Sequence, residues 1–343
     1  MERFSIWIDN TPKNFDEIKS AIHTFNRNDS ITDSFGHTLT NSVEFLSDII
    51  NFDINPVHSC RYQLIRIQIE KINNANSMDP DIKKRIDSFI CDGAIIEYDS
   101  RIYFLIFRGN TTLLKTNLRT ILGHDLQQRN TLTQYDLIDN EDDDFFYWIF
   151  NKTHNEKYTL INSEYQIKFL DLIGFKGKTE NESTVATSGS RILEILSTLA
   201  FIFENEQTLS VTTELSYSIS QNQDSRITIG LSQSGTHQIH ENLYQGPRLF
   251  SLASYEEDLR VQHLIIQILS EYIFIIHPKL KAAFEEDVRT TIWSKAAKLT
   301  FIQTLGTDIS DRVNVLANSI KDEIREMDEE SEGSEEPMQQ TLF

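Results

Sequence analysis

An α+β fold is predicted for this chain, with mixed strands and helices in two units, a helical C-terminal layer and a disordered acidic C-terminal tail. Three observations predict it. Apolar and polar residues alternate with a period of two in both halves, as strands require. From Ser254 onward the apolar spacing changes to threes and fours, the period of helices. The final stretch exchanges apolar residues for charge, which no packed core can use. The units read as residues 1–155 and 156–326, with the tail at 327–343. A length of 343 residues suits one large domain or two ordinary ones.

The elements follow in order. Phe4, Ile6 and Ile8 alternate with Ser5 and Trp7, which predicts an opening strand. "RYQLIRIQIEKI" puts Ile65, Ile67 and Ile69 on one face at strand period. "DPDIKKRIDSFI" reads as a helix opening at Pro80. In "AIIEYDSRIYFLIFRG" two apolar runs flank Asp99 and Ser100, which predicts a hairpin with a tight turn. "DLIDNEDDDFFYWIF" reads as a helix. Asp142, Asp143 and Asp144 sit at its N-terminus, where the macrodipole favours negative charge. Clustered carboxylates also suit Mg²⁺ or Mn²⁺, but adjacent acids on a helix point in different directions. No metal site is assigned to them.

"HNEKYTLIN" links to the second unit. "EYQIKFLDLIGFKGK" alternates Tyr165, Ile167 and Phe169, so a strand is predicted, followed by the polar loop "TENESTVATSG". Ser190 then caps a helix with a stripe of Ile192, Ile195, Leu196, Leu199 and Phe203. "TLSVTTELSYSIS" and "SRITIGLSQSGTHQIH" read as antiparallel strands joined by "QNQD", with a second turn at Ser234 and Gly235. Ser254 and Glu257 fit a capping box for a helix that should stop before Pro278. One or two more helices follow, and a last one opens near Ser310. Val313, Leu316, Ile320, Ile324 and Met327 make its amphipathic face.

Composition bounds the partners. Apolar residues make up 39% and aromatics 10%, enough for real cores. The formal charge is −20, from 52 acidic against 32 basic residues. Such a chain has no global field to attract nucleic acid or an anionic membrane. DNA is a partner only through a local basic patch, for which Arg61, Arg66, Lys83, Lys84 and Arg85 are candidates. Cys60 and Cys91, far apart, form neither a disulfide framework nor a zinc spacing and read as buried thiols. The start, "MERFSIWIDN", lacks the apolar region of a signal peptide. "FFYWIF" and "YIFII" fall far short of the ~20 residues that span a bilayer. A cytoplasmic protein without a membrane partner is expected.

The body offers little recognisable chemistry. "SGSR" at residues 188–191 opens a helix and could attract an anion, but it lacks the glycines and Lys of a P-loop. His237 and His240 are three apart in a predicted strand, where odd spacing sends them to opposite faces. Asp171 before "LIGFKGK" is loosely like a nuclease pattern, with Glu164 and Lys176 as its companions. The second acid of that pattern is missing, because Gly174 and Phe175 stand in its place. A metal-dependent nuclease needs at least two carboxylates on its ion. No G-x-S-x-G, H-E-x-x-H or paired C-x-x-C occurs. No cofactor is expected, and whether the body is an enzyme stays open.

The tail is more specific. In "EMDEESEGSEE", from Glu326 to Glu336, seven of eleven residues are acidic. Such a stretch should be extended and self-repelling, a tether with a reach of ~20 Å. It leads to "QQTLF", where a solvated tail gains nothing from Leu342 and Phe343 unless something else buries them. The five residues Gln339, Gln340, Thr341, Leu342 and Phe343 resemble the peptide with which bacterial proteins dock on the replicative sliding clamp. In that family a Gln is followed by a variable residue, often aliphatic, then a small or acidic residue, then Leu-Phe. Gln339, Thr341, Leu342 and Phe343 match, and Gln340 departs from the commoner Leu. The resemblance covers only these five residues. It implies that Leu342 and Phe343 fill an apolar pocket on the bacterial DNA sliding clamp, with Gln339 hydrogen-bonded beside it. The expected function is then an accessory protein recruited to replicating or repaired DNA. The alternatives are a clamp-localised metal-dependent nuclease and an effector or sensor of an anti-phage defence system.

Overall fold

One strand organises the fold. In the computed structural model, which describes residues 2–11, 13–27, 31–108, 111–124, 130–138, 143–154, 159–161, 166–178, 184–188, 207–218 and 224–332, the opening strand β1 (Glu2–Asp9) divides its hydrogen bonds among three partners, the short strand β7 (Leu132–Gln134) being one of them. Its first residues pair antiparallel with β13 (His237–Ile239), through Arg3 opposite Gln238 and Phe4 opposite His237. The rest pair with β6 (Arg101–Ile106). The sheet therefore continues from the first half of the chain into the second, across the expected boundary at residue 155.

On the N-terminal side, β6 is followed outward by β5 (Ile86–Tyr98), β4 (Ser59–Ile72) and β2 (Asn41–Phe45). The short strands β3 (Ile50–Asp53) and β7 (Leu132–Gln134) attach to β4 and β1. On the other side, β13 is followed by β12 (Asp224–Ser232), β11 (Gln207–Ser218), β9 (Gln166–Lys178) and β10 (Thr184–Ser188), with β8 (Thr159–Ile161) attached to β9. Every pairing is antiparallel.

Helices cover one side of the N-terminal half and a central layer. Helices α1 (Phe15–Asn26) and α2 (Thr111–Ile121) pack on Trp7, Ile65, Ile67, Ile95, Phe104 and their neighbours. Asn14 and Glu17 close a reciprocal capping box at the start of α1, at 2.9 and 2.8 Å. The opposite face of the same strands, with the inner face of β9, β11 and β12, packs on α3 (Asp143–His154), α4 (Arg260–Glu271) and α5 (His277–Arg289). Phe145 to Phe150 are all buried, so α3 is a core helix on every side. Asp144 in its first turn accepts from Lys298 Nζ at 2.8 Å, and Asp142 lies outside the described residues.

Several sequence expectations need correction. The helix expected from Pro80 is one turn, Ile82–Arg85, capped by Asp81, and "IDSFI" belongs to β5. Part of the polar loop after β9 is strand β10. Ser254 ends a 3₁₀ turn and caps nothing. Helix α4 begins at Arg260 without a side-chain cap. Nor does the helix stop before Pro278. A π turn, Tyr272–Ile276, carries α4 into α5, and the His277 N–H bonds to Tyr272 O. Pro278 falls in the first turn of α5, where its missing N–H is not needed. Finally, helix α6 runs unbroken over Lys295–Glu332 and does not open near Ser310. Buried Phe301 and Leu305 anchor it and outweigh the cost of Gly306, about 1 kcal/mol. The first acidic residues after Glu326 are thus helical. The stripe of Val313, Leu316, Ile320 and Ile324 lies in solvent, 46–59% exposed. The helix predicted after Ser190 lies outside the described residues.

Candidate functional site

Gln339, Gln340, Thr341, Leu342 and Phe343 lie outside the described residues, as do Gly189 to Arg191 of the "SGSR" stretch and Glu164. Asp171 and Lys176 stand five residues apart on β9, about 16 Å along a strand. Asp171 faces Glu214 on β11, whereas Lys176 faces Ser210. The two do not converge. His237 points inward, fully buried, and its Nδ1 accepts from the Ser232 N–H at 3.3 Å. Burial pushes its imidazole down to about 3. His240 lies beyond the end of β13 and shares no site with it. Among the described residues no group of three or more His, Cys, Asp or Glu could hold a metal ion. Cys60 and Cys91 are buried thiols, each pushed up to about 12 by burial.

Four of the five basic candidates of the first half, all but Lys83, are held by carboxylates. Arg61 pairs with Glu97, Arg66 forks onto Asp92 at 2.7 and 2.9 Å, and Lys84 reaches Asp79 at 3.6 Å. Arg85 is buried against Asp33 at 2.6 Å. A groove of about 610 Å³ beside Arg66 is acidic in balance, since Glu2 and Asp258 join Asp92 on its walls.

Free cations gather instead on the outer face of the second half-sheet. The inward residues of β11 and β12, Val211, Leu215, Ile227 and Ile229 among them, are core. Alternation sends their neighbours outward, and cross-strand register places those neighbours in rows. One row reads Gly174, Thr212, Gly230, Gln238, Arg3 across five strands. The next holds Lys176, Ser210 and Ser232. Beyond the acidic pair Asp171 and Glu214 comes a row of Lys168, Ser216 and Arg226. Among the described residues no carboxylate pairs with Arg3, Lys168, Lys176 or Arg226.

The first two rows enclose a trough of about 380 Å³. Glycine makes its floor. A Cβ on Gly174 would lie 2.7 Å from Thr212 Oγ1, and one on Gly230 would lie 3.1 Å from the same atom. The Thr212 hydroxyl occupies the space that two side chains would fill. Arg3 stands at one end and Lys176 near the other, about 19 Å apart across four strand spacings. Ser232 and Ser234 share a hydroxyl contact of 2.9 Å at the hairpin edge. The arrangement is a hydroxyl-lined furrow with cationic ends, and among the described residues no aromatic ring lines it.

Among the described residues the trough is lined by hydroxyl, amide and cationic groups, a set suited to holding an anion. Sequence reasoning passed over it because its residues come from four separate segments. Only Lys176 was singled out, for a different role. No protein-family model matches the chain, and no curated protein matches it. Among the described residues no helix is long and apolar enough to cross a membrane.

Proposed function

We propose that this chain is an accessory protein recruited to replicating or repaired DNA by docking "QQTLF" on the bacterial sliding clamp. The observation that carries the reading is the sequence order Gln339, Thr341, Leu342, Phe343. Helix α6 supports it. Residues 313–325 are all exposed, so the helix carries the chain clear of the body before the motif. Burying Leu342 and Phe343 contributes about 1.5–3 kcal/mol each before ordering costs, which places the affinity near micromolar.

The test is binding to a purified bacterial clamp, followed by fluorescence anisotropy. The intact protein binds, and a peptide ending in "QQTLF" competes with it. Replacing Leu342 and Phe343 with Ala weakens binding more than about a hundredfold, since a loss of ~3 kcal/mol has that effect. Gln339→Ala costs less, because it removes a hydrogen bond and leaves both anchors. An intact protein that ignores the clamp, or a double variant that binds as well as the parent, ends the proposal.

A further inference from the structure

We infer that the trough on the outer face of β9, β11, β12, β13 and β1 binds the phosphodiester backbone of single-stranded nucleic acid. Charge is the first ground. On a chain of −20, the outer face of this half-sheet holds Arg3, Lys168, Lys176 and Arg226 without carboxylate partners among the described residues. Unpaired cations on a sheet face repel one another and are best satisfied by an external polyanion. Asp171 and Glu214 separate the row of Lys168 and Arg226 from the trough, whose own cations are Arg3 and Lys176.

The lining is the second ground. Ser210, Thr212 and Ser232 present hydroxyl groups and Gln238 an amide, the donors that accompany Arg and Lys in phosphate and sugar contacts. Gly174 and Gly230 let the Thr212 hydroxyl sit in the space their side chains would fill, so the floor of the trough presents a hydrogen-bonding group in place of bulk. A single strand is thin enough to settle between Arg3 and Lys176 and reach that floor. A duplex is a rigid cylinder whose phosphates meet only the rim. Among the described residues no aromatic side chain lines the trough, so the contacts proposed are to the backbone and ignore base identity.

This site stands on different residues from the clamp motif, so the two readings fail separately. The probe is a fluorescein-labelled oligothymidylate of about 15 nucleotides, titrated with the full chain by anisotropy from about 25 to about 200 mM salt. Saturable binding at low salt is expected. The Arg3→Gln/Lys176→Gln variant weakens it by about tenfold and makes the salt slope shallower by about 1.4, two phosphates at ~0.7 each. Both side chains are exposed, so its melting temperature matches the parent's. The same variant binds the clamp as the parent does, and Leu342→Ala/Phe343→Ala binds the oligonucleotide as the parent does. Three results in these titrations would overturn the inference, and a fourth, from competition, would reassign the trough. The three are no binding at low salt, a double variant with unchanged affinity and slope, and a duplex of equal length bound as tightly as the single strand. Displacement of the oligonucleotide by polyglutamate at equal charge concentration would assign the trough to an acidic polypeptide instead.

Discussion

Two buried histidines should make this protein sensitive to mild acid. His237 is fully buried and held neutral, down to about 3. His263 is pushed down to about 4 by burial, and its Nδ1 lies 2.9 Å from the Tyr62 hydroxyl, which receives a bond from Gln267. In the unfolded chain both titrate near 6.5. Between those values the unfolded chain binds more protons than the folded one. Stability is therefore full above pH ~6.5 and falls as the pH drops toward 4, by up to about 1.4 kcal/mol per pH unit from His237 alone. The urea midpoint should be clearly lower at about pH 5 than at about pH 7, and His263→Gln should reduce the difference. Equal midpoints would show that neither imidazole resists protonation. A second residue-scale prediction concerns the β5–β6 turn. Asp99 and Ser100 have φ of 48° and 59°, the left-handed values of a two-residue hairpin turn. Asn-Gly suits that turn best, so Asp99→Asn/Ser100→Gly should raise stability by about 1 kcal/mol in chemical denaturation.

Among the elements, α4 is tied to the sheet by charge as well as by packing. Glu271, at its last position, is buried. It accepts from the Tyr217 hydroxyl of β11 at 2.6 Å and from Arg248 at 2.7 Å. Arg248 also donates to Ile54 O and stacks on Phe52. Removing the carboxylate strands a cation and a phenol together. Glu271→Ala should cost about 3–5 kcal/mol. Tyr217→Phe leaves the ion pair in place and should cost only about 1–2 kcal/mol. Similar losses in the two variants would mean that the charge pair adds nothing. The π turn at Tyr272–Ile276 lets one long helical segment cross this interface with a proline inside it.

At the scale of the molecule, α6 is half structural and half projection. Its 38 residues rise about 57 Å. Phe301 and Leu305 enter the core, whereas residues 313–325 are exposed throughout. A chain ending at Arg312 should melt at the parent temperature. One ending before Phe301 should melt lower, because it loses both anchors. A drop in the first truncation would show that the exposed stripe on α6 contributes to the fold.

What the residues alone determined was local. Alternation in "RYQLIRIQIEKI", the Asp99–Ser100 turn, and the strands around Ser234 and Gly235 were legible because period and turn chemistry are short-range. Helix α1 was legible too but overlooked, since Asn14 and Glu17 with Phe15, Ile18, Ile22 and Phe25 carry both the cap and the spacing. The proposed "QQTLF" docking peptide is local in the same sense, being five adjacent residues. Tertiary structure decided the rest. The strand β1 joins two half-sheets through residues more than two hundred positions apart, and no period encodes that pairing. Pro278 and Gly306 stop helices on local propensity, yet buried partners worth several kcal/mol outweigh them. The trough exists only where β1, β9, β11, β12 and β13 align their outward rows, because cross-strand register, not sequence distance, brings Arg3 and Lys176 to the same furrow.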